Sequence, residues 1–184
     1  LLAGGLPMAF VRSYPNEPII VRLSADGNLD SLNLTTAEAR LAGAFELKAD
    51  GRLRQLTDSV RMSGDINLDL RTQNLNFVKT LAGPGAMKDI ALPPMHLTGK
   101  AGMYGRQYTT DLWLREGKGN VRLKGGFDAS RMSYQAGLSV KDLQLHHFLP
   151  KDSLYDLSLT AKAEGRGFDP FSRQTRMNAD LKLD

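Results

Sequence analysis

Apolar and polar residues alternate along most of this chain, in short runs separated by Gly, Asp and Asn. Alternation with a period of two places every second side chain on the same face of a strand, and it is typical of half-buried antiparallel strands. The run 60–70 is the clearest, because Ile66, Leu68 and Leu70 share one face while Asn67 and Asp69 share the other. The 3.6-residue period of a helix hardly appears. The sequence therefore predicts an all-β fold.

The runs divide the chain into predicted strands at 19–25, 45–49, 60–70, 95–103, 108–115, 121–127, 132–140, 154–163 and 176–183. Turns are predicted at 26–28, at 50–51 and at 117–120, where Gly and Asn supply the backbone freedom that a tight turn requires. The alternation lapses over 76–87, so a short helical corner element is expected there. We expect a long antiparallel sheet that curls into a β-taco or an open, barrel-like groove, with at most one or two short helices.

The 184 residues are expected to form a single unit, 1–184, within a larger repetitive β-sheet protein, because the chain begins without an initiator Met and ends inside an alternating run at Leu181 and Leu183. A weak internal repeat supports this organisation. Gly126-Phe127-Asp128 and the strand after it resemble Gly167-Phe168-Asp169 and the strand after that.

Composition excludes several function classes. Apolar residues make up 41% and charged residues 24%, which predicts a folded domain. The formal charge of +4 is scattered, and the local excess at Arg166, Arg173 and Arg176 is interrupted by Asp169, so no nucleic-acid partner is expected. The chain has no cysteine, which excludes disulfides and thiolate chemistry. No run reaches the roughly 20 apolar residues of a membrane-spanning helix.

Residues that could carry chemistry are few. His146 and His147 would point to opposite faces at a strand end, and His96 is remote in sequence, so no metal site is expected. The carboxylate pairs Asp65 with Asp69 and Asp152 with Asp156 are explained by the spacing of a polar face. The sequence contains no phosphate-binding loop or nucleophile motif. We expect no catalytic site and no cofactor.

The later strands share an apolar face that is the candidate functional surface. Its residues, inferred from the alternation, are Leu97, Leu112, Leu114, Val121, Leu123, Phe127, Tyr134, Leu138, Val140, Leu157, Leu159, Met177 and Leu181. In one interpretation they form the filled core of a structural or adhesive β-sandwich. In the other they line an open groove that accepts lipid chains, because few helical segments are available to cover the sheet.

Residues 143–154 (LQLHHFLPKDSL) and 157–170 (LSLTAKAEGRGFDP) resemble the TamB branch of the AsmA-like envelope proteins of bacteria. The strand and turn patterns at 121–128 (VRLKGGFD) and 132–136 (MSYQA) are similar to the repeats of such proteins. The resemblance implies a β-taco segment in the periplasm that is itself soluble, in a parent protein anchored in the inner membrane. It also implies that phospholipid acyl chains pass along a hydrophobic groove, and that the parent contacts an outer-membrane barrel of the TamA type. The implied role is phospholipid transport and outer-membrane biogenesis.

Overall fold

A computed structural model describes residues 8–82, 87–151, 155–167 and 175–183. The helical segments are α1 (Met8–Ser13), the 3₁₀ helix η1 (Asn76–Ala82) and α2 (Leu145–Phe148). The strands are β1 (Ile19–Gly27), β2 (Ser31–Leu41), β3 (Phe45–Arg54), β4 (Ser63–Thr72), β5 (His96–Tyr104), β6 (Gln107–Glu116), β7 (Gly119–Asp128), β8 (Ser133–Gln144), β9 (Asp156–Arg166) and β10 (Arg176–Leu183).

The ten strands form one antiparallel sheet in chain order, so each strand pairs with the strands before and after it. The sheet is curled and unclosed, and β1 and β10 are its two edges. This architecture confirms the predicted all-β class and the curled antiparallel sheet, although it has one more short helix than expected. Two facing sheets are not formed by the described strands, so the β-sandwich interpretation was wrong as an architecture.

Strand β2 has no counterpart among the predicted strands, and a β-bulge explains why. Leu32 and Leu34 face the same side as Ala37, Ala39 and Leu41, although two residues, rather than one, separate Leu34 from Ala37. The extra residue shifts the phase of the alternation in the middle of the strand. A strict period-two pattern therefore ends at the bulge, although the strand continues beyond it.

The turn predicted at Asp50 and Gly51 was also wrong, because both residues lie inside β3. Gly51 pairs with Ile66 of β4, and a Cβ atom added to Gly51 would overlap the carbonyl oxygen of Asp65. The glycine is required by a close approach of two strands rather than by a change of direction. The chain turns later, over 55–62.

Asx turns close several connections at one end of the strands, which we call the open rim. Asn28 Oδ1 accepts hydrogen bonds from the backbone N–H groups of Asp30 and Ser31, at 2.9 and 3.0 Å. Asp128 Oδ1 accepts from the two corresponding groups of its own turn, at 2.8 and 3.1 Å. These short polar side chains stabilise turns that connect neighbouring strands directly.

The opposite end of the strands carries all three helical segments, and we call it the capped rim. The expected corner element is present there as η1, while 83–86 lie outside the described residues. Leu41, Ala44 and Phe77 form a small buried cluster, and the Tyr14 ring meets the Phe77 ring edge-on with centroids 5.6 Å apart. The helices thus cover the ends of the strands rather than the face of the sheet.

Candidate functional site

One face of the sheet carries apolar side chains on all ten strands, and we call it the apolar face. Strand register arranges these side chains in rows that cross the sheet at right angles to the strands. One row takes a residue from every strand: Val21, Ala39, Leu47, Leu70, Leu97, Leu114, Val121, Val140, Leu159 and Leu183. At a strand spacing of about 4.8 Å, such a row is on the order of 40 Å long.

All thirteen residues that the alternation selected lie on the apolar face. Five of them belong to the row just described: Leu97, Leu114, Val121, Val140 and Leu159. A second row contains Leu112, Leu123, Leu138 and Leu181, and a third contains Phe127, Tyr134 and Met177. Leu157 lies beyond the bulge of β8 and pairs with Leu143. The face also extends across β1 to β3, which the sequence analysis did not include.

A row of small residues runs between the second and third rows. It consists of Ala101, Thr110, Gly125, Ala136, Ala163 and Ala179. On β6, β7, β8 and β10 the larger side chains on either side, such as Leu123 and Phe127 of β7, are four residues apart along the strand, or roughly 13 Å. The apolar face therefore has a shallow channel across β5 to β10, and we call it the small-residue channel.

The apolar face is largely uncovered. Among the described residues, the buried apolar side chains are Leu41, Ala44, Phe77 and Val140, and three of these four belong to the cluster at the capped rim. At the centre of the sheet, Leu123 is still 38% exposed, and Leu181 on the edge strand is 64% exposed. An open apolar surface of this extent is typical of a binding site rather than of a solvated face.

The opposite face carries charged and polar side chains, and we call it the polar face. Asp111 accepts two hydrogen bonds from the Arg122 guanidinium, at 2.9 and 2.7 Å. The same guanidinium lies 4.4 Å from the centroid of the exposed Trp113 ring. The hydrogen bond from Arg122 holds the pKa of the Asp111 carboxyl below its ordinary value. The polar face therefore has its own network of side-chain contacts and faces solvent.

Asp111→Asn is expected to lower stability at neutral pH and to have little effect in strong acid. Because the folded pKa of Asp111 is depressed, its contribution is present above the unfolded value of about 3.9 and is lost as the pH falls through the folded value. Urea unfolding of both proteins at several pH values measures the difference. An effect of the substitution that does not change with pH would contradict this assignment.

The cavities on the polar face have mixed charge. One cavity of about 830 Å³ is bordered by Lys100, Lys124 and Lys162 and also by Asp111 and Asp180. Because acidic and basic side chains alternate around it, the cavity presents no field of one sign to a charged ligand. A second cavity, of about 650 Å³, lies near the open rim.

The three histidines lie in two parts of the structure, His96 in β5 and the other two in α2. His96 Nε2 lies 3.0 Å from Asp69 Oδ1. Asp65 lies near the opposite end of β5, where it pairs with Gly102. Asp152 is outside the described residues. His146 and His147 lie in α2, so the pair occupies a helical turn that follows β8. Over the described ranges, no three His, Cys, Asp or Glu side chains come together as metal ligands could.

His147 instead covers a buried carboxylate at the capped rim. Its Nδ1 atom lies 2.6 Å from Glu116 Oε1. Glu116 is only 4% exposed, and its Oε2 atom has no hydrogen-bond partner among the described residues. His146 is exposed, and its ring meets the His147 ring edge-on with centroids 4.3 Å apart, so the two rings do not point to opposite faces of a strand as expected. The contact with Glu116 fixes α2 against the end of the apolar face.

Within the described ranges, no helix has the length and apolar character needed to cross a bilayer. Comparisons of the chain with protein-family models, with curated proteins and with solved structures find no match. Inferences about function therefore depend on the geometry of the two faces.

Proposed function

We propose that this chain is a non-enzymatic β-groove segment that binds phospholipid acyl chains on its apolar face. The observation that carries the proposal is an apolar face that continues through ten strands and that no second layer of the described residues covers. The resemblance of 143–154 and 157–170 to TamB and AsmA-like proteins favours a periplasmic location and a role in moving phospholipids between the inner and outer membranes.

The energetics favour an acyl chain as the ligand. Each methylene that leaves water contributes about 0.8 kcal/mol, so a chain that moves between membranes needs nearly continuous apolar contact. The rows of the apolar face run across the strands and thus along the length of the sheet. A lipid tail that lies along the small-residue channel would contact Leu123 and Leu138 on one side and Phe127 on the other.

The proposal includes the setting that the resemblance implies. The parent protein would be anchored in the inner membrane by another part of its chain, and it would contact an outer-membrane barrel of the TamA type. Delivery of lipid would support outer-membrane biogenesis. A structural or adhesive role remains the alternative, and it predicts that no lipid accompanies the folded protein.

Native mass spectrometry of the 184-residue chain, expressed in a bacterial periplasm, tests the proposal. We expect adducts with phospholipid masses, and lipid extraction followed by fragmentation identifies the head groups. A folded protein that carries no lipid, and that does not bind a fluorescent phospholipid added to it, would contradict acyl-chain binding.

Ala136→Trp is expected to reduce the binding of a fluorescent phospholipid by about tenfold. Ala136 is exposed at the middle of the small-residue channel, between Gly125 and Ala163, so an indole there would fill the channel without entering a packed core. The matched control is Gln135→Trp, which places the same ring on the polar face of the same strand. Equal loss of binding in both variants would argue against the channel.

A further inference from the structure

Trp113 is an exposed aromatic residue in the middle of the polar face. Its side chain is 43% exposed, although the Arg122 guanidinium lies 4.4 Å from the centre of its ring. It belongs to β6, and the flanking strands β5 and β7 each pair on their other side as well, so the described sheet continues in both directions around it. A single exposed aromatic ring is common on protein surfaces, and its neighbours decide what it can bind.

Strand register surrounds Trp113 with positive charge. Arg115 and Asp111 are its neighbours along β6, and Thr98 and Arg122 lie opposite it on the adjacent strands. The four diagonal positions are His96, Lys100, Asn120 and Lys124. Four of these eight neighbours are Lys or Arg, and their only carboxylate, Asp111, already accepts two hydrogen bonds from Arg122. We call Trp113 and these eight residues the Trp113 patch.

The positive charge of the Trp113 patch is available to a ligand. Arg115 and Lys124 are exposed, and neither forms an ion pair within the described ranges. Asp69 lies in the row of Trp113 on β4, but it has partners of its own, Arg71 at 3.5 Å and His96 at 3.0 Å. The cations lie on three different strands, and for this reason the sequence shows them as scattered charges. An anionic surface that approaches the patch would therefore not have to break an existing ion pair of Arg115 or Lys124.

We propose that the Trp113 patch docks the polar face on the surface of an anionic phospholipid bilayer. Tryptophan is enriched at the level of the lipid head groups, and Lys and Arg are attracted to the negative potential of anionic lipids. The cavity that adjoins the patch has acidic as well as basic walls, so the patch suits an extended anionic surface better than a small anion. The inference concerns the polar face and does not depend on acyl-chain binding by the apolar face.

The surroundings of Trp113 favour a bilayer over a protein partner. The core of a protein–protein interface is depleted in charged residues, and its aromatic residues pack among apolar neighbours. All eight neighbours of Trp113 on this face are polar or charged, so no apolar core surrounds the ring. A bilayer does not require such a core, because its head groups can move to meet each cationic side chain.

Binding of the 184-residue chain to vesicles tests the proposal, and Trp113, the single tryptophan, is the probe. Vesicles of equal parts phosphatidylglycerol and phosphatidylcholine should shift the emission of Trp113 to shorter wavelength and protect it from quenching by acrylamide. Vesicles of phosphatidylcholine alone should do neither. Salt at about 1 M should reverse the shift, because charges are then screened beyond about 3 Å. A lipid bound only on the apolar face would leave Trp113 in water, so the signal distinguishes the two kinds of binding.

Arg115→Glu is expected to raise the lipid concentration for half-maximal binding by about tenfold, because it replaces an attracted charge with a repelled one. The matched control is Arg54→Glu, which makes the same change in net charge on the polar face of β3, opposite Ser63 at the open rim. Ala136→Trp, which fills the small-residue channel, should float with anionic vesicles as the wild-type chain does. Circular dichroism verifies that each variant keeps its fold.

Four results would overturn the proposal. Equal loss of binding in Arg115→Glu and Arg54→Glu would show that net charge, rather than the Trp113 patch, governs binding. Association with vesicles that leaves Trp113 unchanged would place the contact on another surface. Loss of association in Ala136→Trp, with Arg115→Glu unaffected, would assign the contact to the apolar face. A chain that binds neither kind of vesicle would favour an acidic protein as the partner of the patch.

Discussion

His147→Ala is expected to lower the free energy of unfolding by about 2 to 3 kcal/mol. Glu116 is 4% exposed, and His147 Nδ1 is the partner of its Oε1 atom at 2.6 Å. Because Oε2 already has no partner among the described residues, removal of the imidazole leaves the whole carboxylate desolvated and unpaired. Urea unfolding at neutral pH, followed by the fluorescence of Trp113, the single tryptophan, measures the loss.

The double variant Glu116→Leu with His147→Ala should be more stable than His147→Ala alone. In the double variant the unpaired carboxylate is gone, and the remaining site is apolar. His146→Ala is the matched control, because His146 is exposed on the same helical turn, and its removal should change the free energy by less than about 0.5 kcal/mol. Equal stability of His147→Ala and the double variant would contradict this explanation, because it would show that the unpaired Glu116 carboxylate does not cause the loss of stability in His147→Ala.

Alternation alone was sufficient to predict the class of this fold and the membership of its apolar face. Strands β4 to β10 follow a period of two closely enough that the residues selected from sequence lie in shared rows of the sheet. The physical reason is that a sheet with one apolar and one polar face fixes its register through that pattern. A shift by one residue would move a complete set of leucines into water.

The pattern failed where the backbone departs from a regular ladder. Thr35 and Thr36 lie at the bulge of β2, and the register shifts again between Val140 and Leu143 in β8. Asp142 at that second bulge has a positive φ of 52°, which a sequence pattern does not reveal in a non-glycine residue. An extra residue reverses the phase of the alternation. In the sequence pattern, a strand with a bulge therefore resembles two short strands or no strand.

Contacts at the capped rim were also beyond sequence reasoning. Glu116 and His147 are separated by 31 residues and meet because β7 and β8 return the chain to the end of β6. The extension of the apolar face across β1 to β3 depends in the same way on pairing between neighbouring strands. Periodicity identifies the face of each strand, whereas the position of a helix at the end of the sheet depends on tertiary contacts.

Leu138→Arg is expected to reduce the binding of a fluorescent phospholipid more than tenfold while the protein remains folded. Leu138 lies in the row of Leu123 and Ala161, at the border of the small-residue channel. A lipid tail at this position would cover the guanidinium without a hydrogen-bonding partner, and that desolvation is costly. Without lipid, the long side chain can extend to water because the face is open, so folding is affected much less than binding.

Ser139→Arg is the matched control, because it adds the same charge to the neighbouring residue on the polar face. Leu123→Arg is a second test at a residue that is already 38% exposed, and it should match the effect of Leu138→Arg. Loss of binding in both leucine variants but not in Ser139→Arg would assign the ligand to the apolar face. Unchanged binding in folded Leu138→Arg and Leu123→Arg proteins would remove acyl-chain binding from this face, because a lipid tail that lies along the small-residue channel would pass beside both arginines at β7 and β8.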